Sequence, residues 1–542
     1  MMVGHRPLLW PGLVALCALL GLAAAALAAL LARAPALDPA SVFDHYTLRV
    51  LRFTLMQAGL STLISVAFAL PVARALARRQ RFRGRTLLLR LMGLPLVLPV
   101  IVAVFGIAAV WGRNGALNHG LQALGLESLG LTGIGPLYGL TGILIAHIFF
   151  NMPLAVRLLL PVWEAIPGET WRLASQLGMG SGAILRLIEL PRLLPALPGA
   201  AILIFLLCFT SFAVVLTLGG GPAATTLEVA IYRAMRLEFD IPRAVTLGLL
   251  QVAICAGVAL LLLRLAPTVP GAATGSAAES RMSARPDTTG PMGRLADCLW
   301  IATGSLWVLG PLVAIVVAGL TGPLVAVLAR AEVWQAALRS VTIGLGAGLL
   351  AVTLGTLLLF TTHDLAVRSR RPRLADRLEL AGSLTLVIPP VVLGAGLFVL
   401  LLPLVPVFDW ALPLAATVNG LVATPYVLRL LGPVLRRSAE RHDRLCASLG
   451  LAGLNRLRHL EWPGARPMLG SALALTSALA TGDLAAIALF GTERDATLAL
   501  LIFRALGSYR MDEAAVLSLL LVGLCLVVFI VIEGAARGRA RT

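Results

Sequence analysis

Long apolar runs constrain this chain more than any other feature. Of its 542 residues, 59% are hydrophobic and 13% are charged. Many runs reach the length of about 20 residues that a helix needs to cross a bilayer. They are too long and too uniformly apolar for barrel strands, and open strands cannot span lipid because their edge groups would lack hydrogen bonds. The sequence therefore predicts an all-α polytopic membrane protein surrounded by lipid.

Twelve transmembrane helices are predicted, in two sets of six. The first set covers approximately 8–31, 50–73, 87–111, 138–161, 196–218 and 244–265. The second set covers approximately 298–319, 337–360, 379–402, 411–433, 468–490 and 514–533. The first run resembles a signal peptide, but it is longer than a typical signal core and further spans follow. We therefore interpret it as a retained helix.

The chain divides into two halves that repeat each other. A stretch rich in Gly, Ala, Ser, Thr and Pro predicts a flexible linker at 266–296, between a first six-helix half at 1–265 and a second at 297–542. Matches 272 residues apart pair Pro153 with Pro425, Arg157 with Arg429, Gly178 with Gly450, Glu189 with Glu461 and Pro191 with Pro463. Six helices per half in the same orientation predict a parallel repeat about an axis along the membrane normal.

Arginine supplies all 44 of the basic residues, since the chain contains no lysine. A net charge of +18 would suggest a nucleic-acid partner in a soluble chain. Here the arginines cluster in short loops between spans, above all at 74–90 and 368–377, as the positive-inside rule predicts. We therefore expect no nucleic acid partner, and we expect both termini in the cytoplasm.

An amphipathic segment interrupts the apolar pattern after the fourth span of each half. In the first half, Leu173 and Leu177 lie four residues apart, on one face of a predicted helix, and Gly178 then permits a sharp bend. Such a segment is either an interfacial helix resting on lipid or a docking surface for a cytoplasmic partner. Its repetition, with Gly and Glu-x-Pro at the same spacing, favours docking.

These segments resemble the EAA loop of ABC importer permeases. The likeness rests on Gly178 before Leu-x-x-Ile-x-Leu-Pro and on Gly450 before Leu-x-x-Leu-x-Trp-Pro. Nearly the whole chain resembles the thiamine/thiamine pyrophosphate permeases, which are fused two-half proteins with a MetI-like fold. The stretches that carry this likeness are VAVFGI (102–107), YGLTGILIAHIFFNMP (138–153), IPGE (166–169), LGGGPAATTLEVAIYRAM (218–235) and GSYR (507–510).

The resemblance implies partners and coupling residues. A periplasmic thiamine-binding protein would deliver the substrate, and two copies of an ABC ATPase subunit would dock on the two loops. The ATPase-coupling residues would be Glu169, Ala174, Gly178 and Pro191 in the first loop and Arg441, Cys446, Gly450 and Pro463 in the second. Because Arg441 stands where the first loop has a glutamate, we expect the second loop to hold its ATPase differently.

The chain lacks the lysine that a phosphate-binding P-loop requires. ATP is therefore expected to be hydrolysed on a separate ATPase chain, with no cofactor or metal bound directly here. No catalytic constellation is present, so we interpret the protein as a transport subunit and not an enzyme. His147 inside a span is expected to make a hydrogen bond between helices, and GLGAG (344–348) is expected to allow close helix packing.

Asp483 is an acid in the predicted fifth span of the second half, and Ser211 is its counterpart 272 residues earlier. Acids within a membrane are costly and often functional, so we treat both positions as candidates for the substrate path. A cationic permeant such as thiamine would be attracted by Asp483. Pairing with another group, or a position at the membrane interface, would explain the acid equally well.

Two alternative functions remain open at this point. Ferric iron permeases are also fused twelve-helix ABC importer chains. Proton-coupled secondary transporters also have twelve helices in two parallel halves, and they need no ATPase. The repeated loops after the fourth spans favour the ABC importer, because a secondary transporter has no ATPase to dock there.

Overall fold

The computed structural model describes residues 9–33, 44–123, 137–265, 285–288, 290–448 and 462–537. These ranges are helical and contain no strand. Within them, nine helices are long and apolar enough to cross a membrane, and the number rises to eleven when each of two bent helix pairs is counted as one span. The predicted all-α membrane class is confirmed.

The first half contains six main helical elements. They are Trp10–Arg33, His45–Arg78, Val100–Trp111, Leu140–Glu164, the pair Leu197–Phe209 and Ala213–Leu218, and Ile241–Leu265. Shorter helices lie between them at Arg85–Leu91, Leu94–Leu96, Ala116–Ala123, Gly168–Gln176, Ser181–Ile184, Leu185–Glu189, Leu190–Leu193, Pro222–Ala224 and Leu227–Arg236. Asp44 begins the second helix, since its Oδ1 accepts a hydrogen bond from Thr47 N at 2.6 Å.

The second half follows the same order after a short turn at Pro286–Thr288. Its main elements are Pro291–Thr321, Ala331–His363, Pro390–Leu401, Ala411–Ser448, the pair Trp462–Thr481 and Ala485–Phe490, and Met511–Arg537. Shorter helices lie at Leu324–Leu328, Asp364–Arg368, Pro372–Gly382, Leu384–Val387, Val407–Trp410 and Leu498–Gly507. The first of the main helices begins at Pro291, inside the range that we assigned to the linker.

Four of the predicted spans are broken, which corrects the sequence reading. The third spans, 87–111 and 379–402, break at proline: Pro99 precedes the helix of the first half, and an 86° bend ends at Pro390 in the second. Proline lacks the N–H that a continuous helix needs, so the break follows from the sequence. The fifth spans, 196–218 and 468–490, each divide into the helix pairs given above.

The internal repeat is visible in equivalent hydrogen bonds. In the first half, Thr54 Oγ1 on the second helix accepts a bond from Leu227 N at 3.1 Å. In the second half, Ser340 Oγ on the second helix accepts a bond from Leu498 N at 3.0 Å. Both bonds satisfy a free N–H at the start of the short helix that precedes the sixth span. The halves are therefore related in structure as well as in sequence.

The first helix of each half packs on the opposite half. Trp10–Arg33 lies against Ala331–His363 and Pro390–Leu401, and Gly12 N donates to Thr361 Oγ1 at 2.8 Å. The first helix of the second half lies against the second and third helices of the first. There a methyl group at Gly106 would sit 2.7 Å from Pro311 O, so the two helices touch backbone to backbone.

Candidate docking loops and transport path

The first candidate docking loop begins with the helix Gly168–Gln176, which is followed by a bend at a glycine. Gly178 has φ of 63°, in the left-handed region that favours glycine. Its N–H donates to Ser175 O at 3.1 Å, and Met179 N donates to Ala174 O at 2.9 Å. This pair of bonds is a Schellman motif, which closes the helix and satisfies its last carbonyl groups. The bend predicted at Gly178 is confirmed.

The docking helix has one face turned inward and one outward. Trp171 and Ala174 are buried, while Glu169 is exposed. Leu173 and Leu177 are 56% and 67% exposed, on the same outward face as predicted. Neighbouring exposed leucines on a helix beside charged groups are typical of a surface that another protein or lipid covers.

The rest of the first loop leads directly into the fifth span. The helical stretch Ser181–Leu193 meets Leu197–Phe209 at 61°. Glu189 anchors it, since this fully buried carboxylate pairs with Arg74 on the second helix at 2.6 Å. Pro191, one of the predicted coupling residues, is exposed just beyond this anchor. A movement of the loop would therefore act on the fifth span.

The second candidate docking loop is built differently. Its fourth helix, Ala411–Ser448, continues without a break through the equivalent of the first docking helix. Arg441 is exposed and Cys446 is buried, matching the positions of Glu169 and Ala174. Gly450 lies outside the described residues. Pro463 lies in the helix Trp462–Thr481.

The two substrate-path candidates occupy equivalent breaks in the fifth spans. In the first half the helix stops at Phe209, and Ser211 lies in the break before Ala213. In the second half it stops at Thr481, and Asp483 lies in the break before Ala485. Unwound backbone at membrane depth occurs where it is buried in protein or lines a cavity. Both side chains are partly exposed.

The break at Asp483 touches the other half of the molecule. A methyl group at the adjacent Gly482 would lie 2.4 Å from Cγ of Pro99, so this residue packs directly against the broken third span of the first half. Asp483 Oδ2 accepts a hydrogen bond from Ala486 N at 3.0 Å, and the Asn419 side chain also interacts with this carboxyl group. The acid therefore starts the short helix Ala485–Phe490 as well as lying at an interface between halves.

Two other sequence predictions are confirmed as helix contacts. His147 Nδ1 hydrogen-bonds Ser61 Oγ at 2.8 Å, which joins the fourth helix to the second. In GLGAG, a methyl group at Gly344 would lie 2.0 Å from Thr481 Oγ1, and one at Gly348 would lie 2.2 Å from Ser477 Oγ. These glycines hold the second helix of the second half tightly against its fifth helix.

An ionic cluster that was not predicted from the sequence lies behind the first candidate docking loop. Arg285 and Asp287, in the short described part of the linker, join Glu189 in a buried set of ion pairs. The guanidinium of Arg285 also lies 4.2 Å from the ring centre of Trp171 on the docking helix. A weak signal existed, because these are charged residues in a linker otherwise rich in small and polar residues.

Comparison with known proteins identifies the family. Residues 351–538 match the family described as "binding-protein-dependent transport system inner membrane component". The chain is 46% identical to the thiamine transport system permease protein ThiP of Brucella abortus (strain 2308), over 93% of this chain and 90% of that protein. It is 43% identical to ThiP of Escherichia coli (strain K12), over 96% of both chains.

The chain belongs to the ThiP family of permeases. ThiP of Haemophilus influenzae is a more distant member, 35% identical over 90% of this chain and 88% of that protein. Family membership makes the protein an ABC importer permease, as the docking loops had indicated. The alternative of a proton-coupled secondary transporter is not supported. The match at 351–538 includes the second docking segment, which keeps its place in the repeat although its helix is continuous.

Proposed function

We propose that this chain is the membrane permease of an ATP-driven importer of thiamine or its phosphate esters. Two copies of an ABC ATPase dock on the two loops, and a periplasmic binding protein delivers the substrate. The arginine-rich segments and both termini face the cytoplasm of a bacterium, and the protein resides in the inner membrane. The observation that carries the proposal is the exposed docking helix Gly168–Gln176, which is linked through one bend to the fifth span.

The mechanism follows from this connection. When ATP binding brings the two ATPase subunits together, the docking helix would move with its subunit. The stretch Ser181–Leu193 would pass the movement to the fifth span, whose break at Ser211 allows its two parts to tilt separately. The equivalent break at Asp483 abuts the third span of the other half, so both breaks would be displaced in one cycle.

Asp483 gives the path its charge preference in this proposal. Thiamine carries a fixed positive charge on its thiazolium ring, and an acid in a low-dielectric path lowers the barrier for a cation. A single carboxylate favours passage, whereas a cluster would trap the ion. Ser211 offers a neutral hydroxyl at the equivalent position, so the attraction would come from one half alone.

The energy source is tested by reconstitution. Vesicles that contain this chain, the ATPase and the thiamine-binding protein should import thiamine when ATP is supplied on the ATPase side. Uptake by this chain alone under an imposed pH gradient would contradict the proposal. If ATP hydrolysis is stimulated by an iron-loaded binding protein and not by a thiamine-loaded one, ferric iron replaces thiamine as the substrate.

The role of Asp483 is tested with Asp483→Asn. Asparagine keeps a side-chain oxygen that can accept the bond from Ala486 N, so the substitution removes the charge and retains the helix start. We expect slower thiamine transport with unchanged ATPase docking, and Ser211→Ala serves as the neutral control. Transport by Asp483→Asn at the wild-type rate across substrate concentrations would rule out the electrostatic role.

A further inference from the structure

The linker contributes a fixed piece of structure behind the first docking loop. Arg285 Nη2 contacts Glu189 Oε1 at 2.5 Å, and its Nε contacts Asp287 Oδ1 at 3.1 Å. Glu189 and Asp287 have fully buried side chains, and that of Arg285 is 7% exposed. A tether that merely joined the halves would not bury paired charges in this way.

Further ion pairs connect this cluster to the second helix of the first half and to the first helix of the second half. Arg78 Nε lies 3.6 Å from Asp287 Oδ2 and 3.4 Å from Asp297 Oδ2. Arg79 Nε lies 2.8 Å from Asp297 Oδ2, and its Nη1 donates to Thr288 O at 2.9 Å. We call this set the linker clasp; its members are Arg74, Arg78, Arg79, Glu189, Arg285, Asp287 and Asp297.

The linker clasp also holds the docking helix itself. Arg285 stacks on Trp171, whose side chain is on the buried face of Gly168–Gln176, and Arg74 Nη2 donates to Ser181 O at 3.2 Å after the glycine bend. The clasp therefore contacts the loop on both sides of Gly178. The outward face with its exposed leucines remains free for a partner.

The sequence of the second half differs at the positions that form this arrangement in the first half. The chain has one linker, and at the spacing of 286 residues that relates Thr54 to Ser340, Arg74 and Arg78 correspond to Phe360 and Asp364. The second helix of the second half thus has no arginine at the positions equivalent to Arg74 and Arg78.

We propose that the linker segment 285–288 is a structural part of the first docking site, with Arg285 as its positioning residue. Arg285 holds the docking helix at the angle that the ATPase requires and couples its movement to the first helix of the second half through Asp297. This inference rests on the proposed ATPase docking. It assigns to the linker a mechanical role. A permease made of two separate polypeptides has no linker and would lack this role.

The test compares the two docking sites within one complex. A photo-crosslinking amino acid is placed at Leu173 or at Leu445, its equivalent in the repeat, in the full chain with its ATPase and binding protein. In the wild type both positions should cross-link to the ATPase. Failure to cross-link at both positions would overturn the proposed docking itself. The clasp is tested separately, by how substitutions at Arg285 change the cross-linking at each position.

Arg285→Ala should lower cross-linking at position 173 by about tenfold, because removal of one partner from a buried ion pair leaves uncompensated charge. Cross-linking at 445 should be unchanged, and less thiamine should be imported per ATP hydrolysed. Arg285→Lys should give cross-linking at position 173 that lies between the values for the wild type and for Arg285→Ala. Arg294→Ala, at an exposed arginine nearby, should change nothing. An equal loss at both positions, or no loss at 173, would overturn the proposal.

A second measurement covers a variant that fails to fold. A protease site is inserted between residues 266 and 284 of the otherwise natural chain, and the assembled complex is cut. Because the clasp is non-covalent, the halves should stay together and import should continue. Loss of import on cutting, with the halves still associated, would show that the linker acts as a covalent tether and would contradict the clasp.

Discussion

The two docking segments have related sequences but different shapes. In the first half, Ile-Pro-Gly at 166–168 separates the fourth helix from the docking helix, and Pro167 is extended with ψ of 144°. In the second half the equivalent residues are Ser-Ala-Glu at 438–440, and one helix of 38 residues runs through them. Proline and glycine are the two residues that most disfavour a helix interior, so their loss explains the continuous helix.

Under the proposed function, this difference gives the chain two unlike docking sites. The first site is a separate helix, bent away from its span and supported by the linker clasp. The second is an extension of the span itself, so its direction follows the fourth helix. In the proposed mechanism, a rotation of the ATPase subunits would reach the first half through a loop that bends at Pro167 and the second half through the continuous helix Ala411–Ser448.

Exchanging the two sequences should have the largest effect. Pro and Gly together disfavour a helix interior by about 4 kcal/mol relative to Ala. Replacing Pro167-Gly168 with Ala-Glu should therefore fuse the docking helix Gly168–Gln176 to Leu140–Glu164 and abolish ATPase cross-linking at position 173. Thiamine uptake should fall below detection. The reverse exchange at Ala439 and Glu440 serves as the partner variant, and normal uptake by the first exchange would show that the bend is dispensable.

Removing the anchor of the hinged loop should have the next largest effect. Glu189→Ala leaves the buried guanidinium of Arg285 without this partner, and we expect a loss of about 3 kcal/mol of stability. Glu164→Ala is the matched control, because Glu164 forms an exposed pair with Arg85 that is worth less than about 1 kcal/mol. Thermal unfolding of the purified protein measures both. Equal effects of the two substitutions would contradict the special role of the buried pair.

Disrupting the glycine bend should have a smaller effect than removing the Glu189 anchor. Valine at position 178 must adopt positive φ, which costs an L-residue about 1–2 kcal/mol and more for a β-branched side chain. Gly180 provides the control, since its φ is −75° and its surroundings are open. Gly178→Val should weaken ATPase binding, measured by co-purification, and Gly180→Val should leave it intact. A reversed order would mean that the space around the loop, and not its backbone, limits docking.

The smallest expected effect is that of pH on the stability that the clasp contributes. Burial would raise the pKa of Asp287, but the hydrogen bond and charge of Arg285, with the charges of Arg78 and Arg74, lower it below its ordinary value of 3.8. A lowered pKa contributes stability above the unfolded value, and this stability is lost as pH falls through the folded value. The stability difference between wild type and Asp287→Asn should thus stay constant above about pH 5. A difference that fades between neutral pH and that value would mean that Asp287 is not held ionised.

Local sequence patterns predicted the helices of this fold better than they predicted the contacts between the helices. The apolar runs located the helices, and Leu173, Leu177 and Gly178 gave the docking helix its face and its bend. The breaks in the third spans had a visible cause in proline. The break at Thr210–Phe212 contains no proline or glycine, so no residue type marks it in the sequence.

The ionic anchor lay beyond sequence reasoning for a different reason. Glu189 pairs with Arg74 and Arg285, which are 115 and 96 residues away in the chain. Nothing in the spacing of these residues distinguishes them from the other arginines of the loops between spans. Burial alone makes Glu189 an anchor, and it is buried where Arg74 meets the described segment 285–288.

The exchange of first helices between halves has a consequence for biosynthesis. A ribosome adds roughly 5 to 20 residues per second, so Gly12 waits roughly 20 to 70 seconds for Thr361, which follows 349 residues later. During that time Trp10–Arg33 must remain in lipid without its final neighbours. An 18-residue stretch of this helix has a mean hydropathy of 2.6, and Arg33 at its end is its one charged residue, which suits a helix that is stable alone. The first helix of the second half has its neighbours from the first half in the membrane when it is made, and it waits for Met511–Arg537 of its own half.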